Sequence, residues 1–185
     1  KYVGADGVAA FTILGFVVYG YSMVCIGFGQ GISPIVSICW GAKEKETAIK
    51  IRSITNRILL AIGTLTALSF FVAGKRYAEI FGCSNSIADM VATGFRIYAI
   101  TFLVMGYDVT GSMYFTSCGD AKSSAIISSL RGIVLLLAFI LIFPAIFGMN
   151  GVWMASPFAE TLTSIVTFVL IRRQVRKNKE EENAR

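Results

Sequence analysis

The sequence has no histidine, and only 15% of its residues are charged, against about a quarter in an ordinary soluble domain. It has no glycine-rich phosphate loop of the GxxxxGK type and no carboxylate cluster with metal-ligand spacing. Its four cysteines, Cys25, Cys39, Cys83 and Cys118, have no metal-ligand spacing either. Three of them fall in or at the ends of apolar stretches and read as small buried hydrophobes. These absences exclude metal, nucleotide-phosphate and nucleophilic chemistry as the basis of function, so no catalytic residue, no metal site and no enzyme activity is expected. A signal peptide with a charged start and a cleavage site is also missing, and the chain opens on Lys1.

What the sequence does have is apolar length. Hydrophobic residues make up 55% of the 185, and the mean hydropathy is +0.69. Five apolar tracts stand out, at 8–40, 53–74, 87–118, 123–147 and 151–171, each as long as or longer than the roughly 20 residues that cross a bilayer as helix. They lack the strict alternation of barrel strands. The fold class expected is all-α, a polytopic membrane helical bundle.

The net charge of +6 describes orientation rather than nucleic-acid binding, because the bases cluster at tract ends. Lys43, Lys45, Lys50, Arg52 and Arg57 flank the first connection, Lys122 lies in the third, and Arg172, Arg173, Arg176, Lys177 and Lys179 follow the last tract. The positive-inside rule makes these three places cytoplasmic, with 172–185 a cytoplasmic tail at a plasma membrane. Five spans with an inner carboxyl end put Lys1 outside, and the expectation is that a further helix precedes it in a longer protein. Gly41, Gly119-Asp120 and the run Gly148–Gly151 mark turns, Lys75–Ile87 reads as an amphipathic outer piece, and Ser84-Asn85-Ser86 reads as a cap for the third helix.

Ionisable residues inside apolar tracts carry the most information, since a charge near the bilayer centre costs about 2.5–3.5 kcal/mol even on insertion scales. Asp108 lies two thirds of the way along its tract, sharing a helix face with Thr101, Met105, Ser112 and Phe115. That face reads as a cavity wall or as hydrogen-bonding glue between helices. Glu160 carries Ser156, Pro157, Thr163, Ser164 and Thr167 on its side, a polar stripe that faces the same cavity or packs against a neighbouring helix. Arg96 sits toward the outer end of its tract and Arg131 toward the inner, where Arg131 is read as snorkelling to the cytoplasm with a structural role. In GQGISPIVSICWGAKEKE, Gln30, Pro34 and Ser37 share a face. Pro34 removes the hydrogen bond to the Gln30 carbonyl, so the stretch reads as a bent helix lining something wet, or as an ordinary proline kink.

Three segments, GQGISPIVSICWGAKEKE, YFTSCGDAKSSAIISSLR and FPAIFGMNGVWMASPFAE, in this order and spacing, resemble the carboxyl-terminal half of a multidrug and toxic compound extrusion (MATE) transporter of the bacterial multidrug-exporter branch. The resemblance implies twelve helices in two lobes, with this chain supplying the eighth to twelfth, and a seventh helix and amino-terminal lobe as partners within the same protein. It further implies a secondary antiporter that exports drugs or other amphipathic organic cations in exchange for Na+ or H+ by alternating access. No cofactor and no nucleic-acid partner is implied beyond the coupling ion, the membrane lipid and the small-molecule substrate.

On that footing Asp108 is the cation-coupling candidate. Gln30, Pro34, Ser37, Ser112 and Glu160 are polar cavity candidates, Met105, Met113 and Phe115 offer soft apolar contacts, and Arg131 braces the cytoplasmic end. Two other functions fit the same helices. One is a flippase for lipid-linked oligosaccharides, which would need a basic cavity, and the other is a membrane receptor or assembly subunit that transports nothing.

Overall fold

The computed structural model describes residues 4–80 and 85–183. Its helices are α1 (Gly4–Gly41), α2 (Lys45–Ile80), α3 (Asn85–Ser117), α4 (Ala121–Ser129), α5 (Leu135–Phe147) and α6 (Met149–Asn183). A π-helical turn, Leu130–Val134, joins α4 to α5, so the two run as one rod. Counted that way, five helices among the described residues are long and apolar enough to cross a membrane, and the fold is an all-α membrane-type bundle. The end formed by the close of α1, the start of α2, the close of α3, the start of α4 and the close of α6 carries most of the lysines and arginines. It is called the basic end below.

α3 is the centre of the bundle. Val91, Phe95, Tyr98, Phe102, Met105 and Val109 recur at alternating steps of four and three and are all buried, the spacing that keeps one stripe of a helix facing its neighbours. They pack against Leu14, Tyr21 and Cys25 of α1 and Leu59, Ala67 and Phe70 of α2. The Phe70 ring lies 4.4 Å from that of Phe95 and 5.7 Å from that of Phe102, centre to centre. A second cluster at the basic end gathers Val36, Ala48, Tyr114, Phe115, Ile127 and Ile171. The outward faces are as apolar as the core, with Val72 84% and Leu141 75% exposed, as expected where lipid is the solvent.

Close backbone approach replaces bulk where α2 meets α3. A Cβ on Gly63 would run into the Phe102 carbonyl oxygen and the Tyr21 hydroxyl, the small-residue contact that membrane helices use to pack tightly. Gly63→Ala is therefore expected to destabilise the bundle by about 1–3 kcal/mol, because a backbone carbonyl cannot turn aside. Thermal unfolding of the detergent-solubilised protein would read this, and an unchanged midpoint would contradict the packing described.

The helices outrun the apolar tracts. α1 has 38 residues, about 57 Å at 1.5 Å per residue, against a hydrocarbon core of about 30 Å. The charged stretch from Arg172 is the solvated end of α6, helical as far as Asn183. Its residue types favour helix and Arg176 reaches Glu180 at 3.4 Å, four residues on. Likewise 75–80 continues α2, so no separate amphipathic piece forms there. Phe81–Ser84, which includes Cys83 and the first residue of the expected cap, lies outside the described residues. Pro34, Pro144 and Pro157 all sit within continuous helix. Gly119 turns the chain with φ +78°, and Asp120 then caps α4 by accepting from the Ser123 backbone N–H at 3.1 Å and the Ser123 hydroxyl at 2.7 Å. The Ser123 hydroxyl, more than any other group, holds the Asp120 carboxyl below its ordinary pKa.

Candidate functional site

Asp108 is fully buried in the middle of the bundle. Its partners come from α6: Ser164 donates to Oδ2 at 2.7 Å and Thr167 to Oδ1 at 2.8 Å. Glu160, Ser164 and Thr167 follow one another at steps of four and three, so one face of α6 carries an acid and the two hydroxyls that reach Asp108 of α3. A carboxylate that must be taken out of water is thereby given donors, which is the condition for keeping a charge in such a place. The Thr167 oxygen also lies 3.0 Å from the Thr163 carbonyl, so its one hydrogen is shared between that oxygen and Asp108. A Cβ on Gly111, one turn from Asp108, would meet the Thr167 methyl, so the two helices close tightly around the acid.

The second acid is paired. Arg131 Nε donates to both Glu160 oxygens, at 2.8 and 3.0 Å, with 25% of the Arg131 side chain and 8% of the Glu160 side chain exposed. Arg131 sits in the π-helical turn. A π turn places one extra residue in the helix and occurs often at functional sites, and here it carries the base that meets α6. Arg131 thus turns inward to an acid instead of snorkelling to the basic end. Its long side chain has a fixed partner within reach, and a buried carboxylate attracts it more than the interface does.

Asp108, Arg131, Glu160, Met105, Ser112 and Met113 all line one cleft of about 530 Å³ between α1, α3, α6 and the α4–α5 rod, a volume within the range of small-molecule sites. Ser156, from the polar stripe expected beside Glu160, also lines it, as do Tyr98 and Ser128, which the sequence did not single out. Ser112 lies within 3.0 Å of the Ser124 hydroxyl and 2.8 Å of that of Ser128, and Thr116 within 2.7 Å of Ser124, so a row of hydroxyls ties α3 to α4 beside the cleft. With one base against two acids, the lining holds an excess of one negative charge when all three are ionised.

The remaining candidates lie elsewhere. Phe115 is buried in the second core cluster. Gln30, Pro34 and Ser37 occupy an exposed face of α1 and do not line the cleft. Ser37 donates to the Ser117 carbonyl at 3.2 Å and Ser33 to that of Gly29 at 2.9 Å, so neither is bonded to the Gln30 carbonyl that Pro34 frees. Arg96 is exposed, its guanidinium 5.8 Å from the centre of the Phe71 ring. Among the described residues no three of His, Cys, Asp or Glu stand close enough together to hold a metal ion.

Two acids and a base thus stand around one cleft in a bundle of membrane-length helices, where an ionisable residue needs such partners. The chain belongs to the MATE family: the family model described as MatE matches residues 1–142. It is 26% identical over 189 residues to the probable multidrug resistance protein YoeA of Bacillus subtilis (strain 168), covering 97% of this chain and 39% of that protein. To the multidrug export protein MepA of Staphylococcus aureus (strain bovine RF122 / ET3-1) it is 19% identical, covering 91% of this chain and 37% of the relative. Among solved structures, an inward-facing multidrug resistance MATE transporter of the MOP superfamily superposes with a TM-score of 0.87 at 18% identity, covering 97% of this chain and 42% of that one. An outward-facing form described in the same terms gives 0.80 at 21%, covering 97% and 41%. The chain therefore spans about two fifths of the length of the proteins it matches, and its fold is the fold of that portion.

Proposed function

We propose that the chain is part of a secondary antiporter that exports amphipathic organic cations, drugs among them, in exchange for Na+ or H+ by alternating access. The observation that carries this is the unbalanced charge of the cleft: Glu160 is matched by Arg131, whereas Asp108 is held, among the described residues, by the hydroxyls of Ser164 and Thr167. A buried carboxylate stabilised by neutral donors is the group whose charge remains to be neutralised by an incoming cation. A proton, a sodium ion and an organic cation compete for it, and competition for one charge is what couples an inward ion flux to outward drug movement. Met105 and Met113 line the same cleft and supply the soft, adaptable surface that suits varied apolar ligands.

The rest of the transport path belongs to the second lobe. Gln30, Pro34 and Ser37 stand on the exposed side of α1, where they are available to a facing lobe and to substrate passing between the two. Arg131 holds α6 against the α4–α5 rod through Glu160, and the protein works without a cofactor or a chemical step. The basic end faces the cytoplasm of a cell whose plasma membrane holds the protein. The flippase alternative draws no support from the cleft, where the one guanidinium among the described residues is already taken by Glu160 and leaves no cage for a pyrophosphate.

The test is efflux of a fluorescent cationic dye from energised cells that express the full-length protein, with the sodium and proton gradients collapsed separately. The expected outcome is efflux that stops when one of the two gradients is removed, which names the coupling ion. Efflux indifferent to both gradients, or none from protein shown to be in the membrane, would refute the antiport.

A further inference from the structure

A second cleft, of about 620 Å³, lies between α2, α3 and α6; it shares no lining residue with the first, although Ser164, which donates to Asp108, is part of its wall. Arg52, Asn56 and Arg57 of α2 line one part of it, and Leu60, Val104 and Phe168 line its walls. No acid lines it. Arg52 is only 8% exposed, and its Nε and Nη1 have no hydrogen-bond partner among the described residues. Its guanidinium is held instead by ring faces, 5.6 Å from the centre of Tyr107 and 5.4 Å from that of Tyr114. A third guanidinium, that of Arg172, lies 4.3 Å from the centre of the Phe168 ring that forms part of the wall.

An arginine withdrawn from water without an acid to pair with leaves a positive charge that an anion can neutralise. Two features specify the anion. Arg52 and Arg57 mark the part of the cleft nearest the basic end, and one turn deeper the lining becomes Leu60, itself 51% exposed on the outward face of α2. The ligand that matches a basic mouth continuous with an apolar, membrane-facing wall is amphipathic, with its charge at one end. We infer that this cleft binds an anionic glycerophospholipid of the inner leaflet, its phosphate against Arg52 and Arg57 and an acyl chain along Leu60 and Val104. Basic pockets between membrane helices at the cytoplasmic side recognise such head groups. The inference rests on the basic end facing inward and does not require the antiport reading.

The experiment uses the full-length protein purified in mild detergent, with retention of added phosphatidylglycerol and of phosphatidylcholine compared by native mass spectrometry. The wild type is set beside Arg52→Gln, Arg57→Gln and Arg96→Gln. Arg57 and Arg96 are both exposed, so their variants fold even if Arg52→Gln does not, and Arg96 belongs to the other half of α3 as a control for surface charge. The expected result is a preference for phosphatidylglycerol that falls about fivefold in Arg57→Gln, the equivalent of about 1 kcal/mol per base. Arg52→Gln is expected to lose at least as much, and Arg96→Gln to keep the wild-type preference. Equal retention of the two lipids by the wild type would overturn the inference, as would an equal loss in Arg96→Gln. Inorganic phosphate displacing the retained lipid at millimolar concentration would overturn it too, since the site would then take a soluble anion.

Discussion

Arg131→Met is expected to cost the folded full-length protein about 3 kcal/mol, the lower end of what breaking a buried ion pair costs. The lower end applies because the Arg131 side chain keeps 25% of its surface exposed, whereas Glu160 keeps 8%. Without Arg131, the Glu160 carboxylate loses both of its guanidinium hydrogen bonds and stays buried on α6. Glu160→Gln is expected to cost less, because an amide oxygen still accepts from Nε and the unpaired base is the more exposed partner. Arg131→Met combined with Glu160→Leu should recover most of the loss, since replacing both members by apolar groups removes the orphaned charge along with the pair. Arg131→Met, a Glu160→Leu single variant and the two combined form a double-mutant cycle read by thermal unfolding in detergent. If Arg131→Met alone lay within about 0.5 kcal/mol of wild type, the pair would not hold α6 to the rod.

Asp108→Asn is expected to separate transport from folding. The amide oxygen can accept one hydroxyl, and the Ser164 or Thr167 hydroxyl can rotate to accept from the amide nitrogen, so the contact between α3 and α6 survives. Stability should therefore stay within about 1 kcal/mol of wild type, or rise, because a buried charge has been removed. Transport driven by the ion gradient should fall on the order of tenfold or more, a typical allosteric coupling energy being 1–3 kcal/mol. The measurement is gradient-driven dye transport in proteoliposomes at matched protein density, with the unfolding midpoint taken on the same sample. Retained coupling in a well-folded variant would assign the charge competition to another group.

Much of this organisation was legible in the sequence because the membrane enforces simple rules. Length and hydropathy marked five spans, and the cost of intramembrane charge singled out Asp108 and Glu160 before any neighbour was known. Their surroundings were less legible, because periodicity gives the face of one helix and not the register between two. Ser164 and Thr167 were placed correctly on the side of Glu160, but only the packing of α6 on α3 puts their hydroxyls on Asp108. Arg131 was read as reaching the interface because nothing local signals a π turn or a partner 29 residues on. Arg52 was counted among the loop bases, since its burial depends on the rings of Tyr107 and Tyr114 from another helix. Hydropathy also marks where the membrane ends rather than where a helix does, which is why α6 runs on to Asn183 through charged sequence.

The π turn at Leu130–Val134 sets the phase of the α4–α5 rod. In a regular helix each residue advances the side-chain direction by about 100°, so one additional residue within a turn offsets everything beyond it by that angle. On the near side of the offset, Ser124 and Ser128 face Ser112 of α3. On the far side, Phe139 and Phe143 meet Phe158 of α6 at 6.3 and 5.1 Å between ring centres. The rod thus addresses two partners in two angular frames, with Arg131 at the junction. Tightening that turn to regular helix would rotate the aromatic half against the hydroxyl half like a key in a lock, a rotation the Arg131–Glu160 pair resists for as long as it holds.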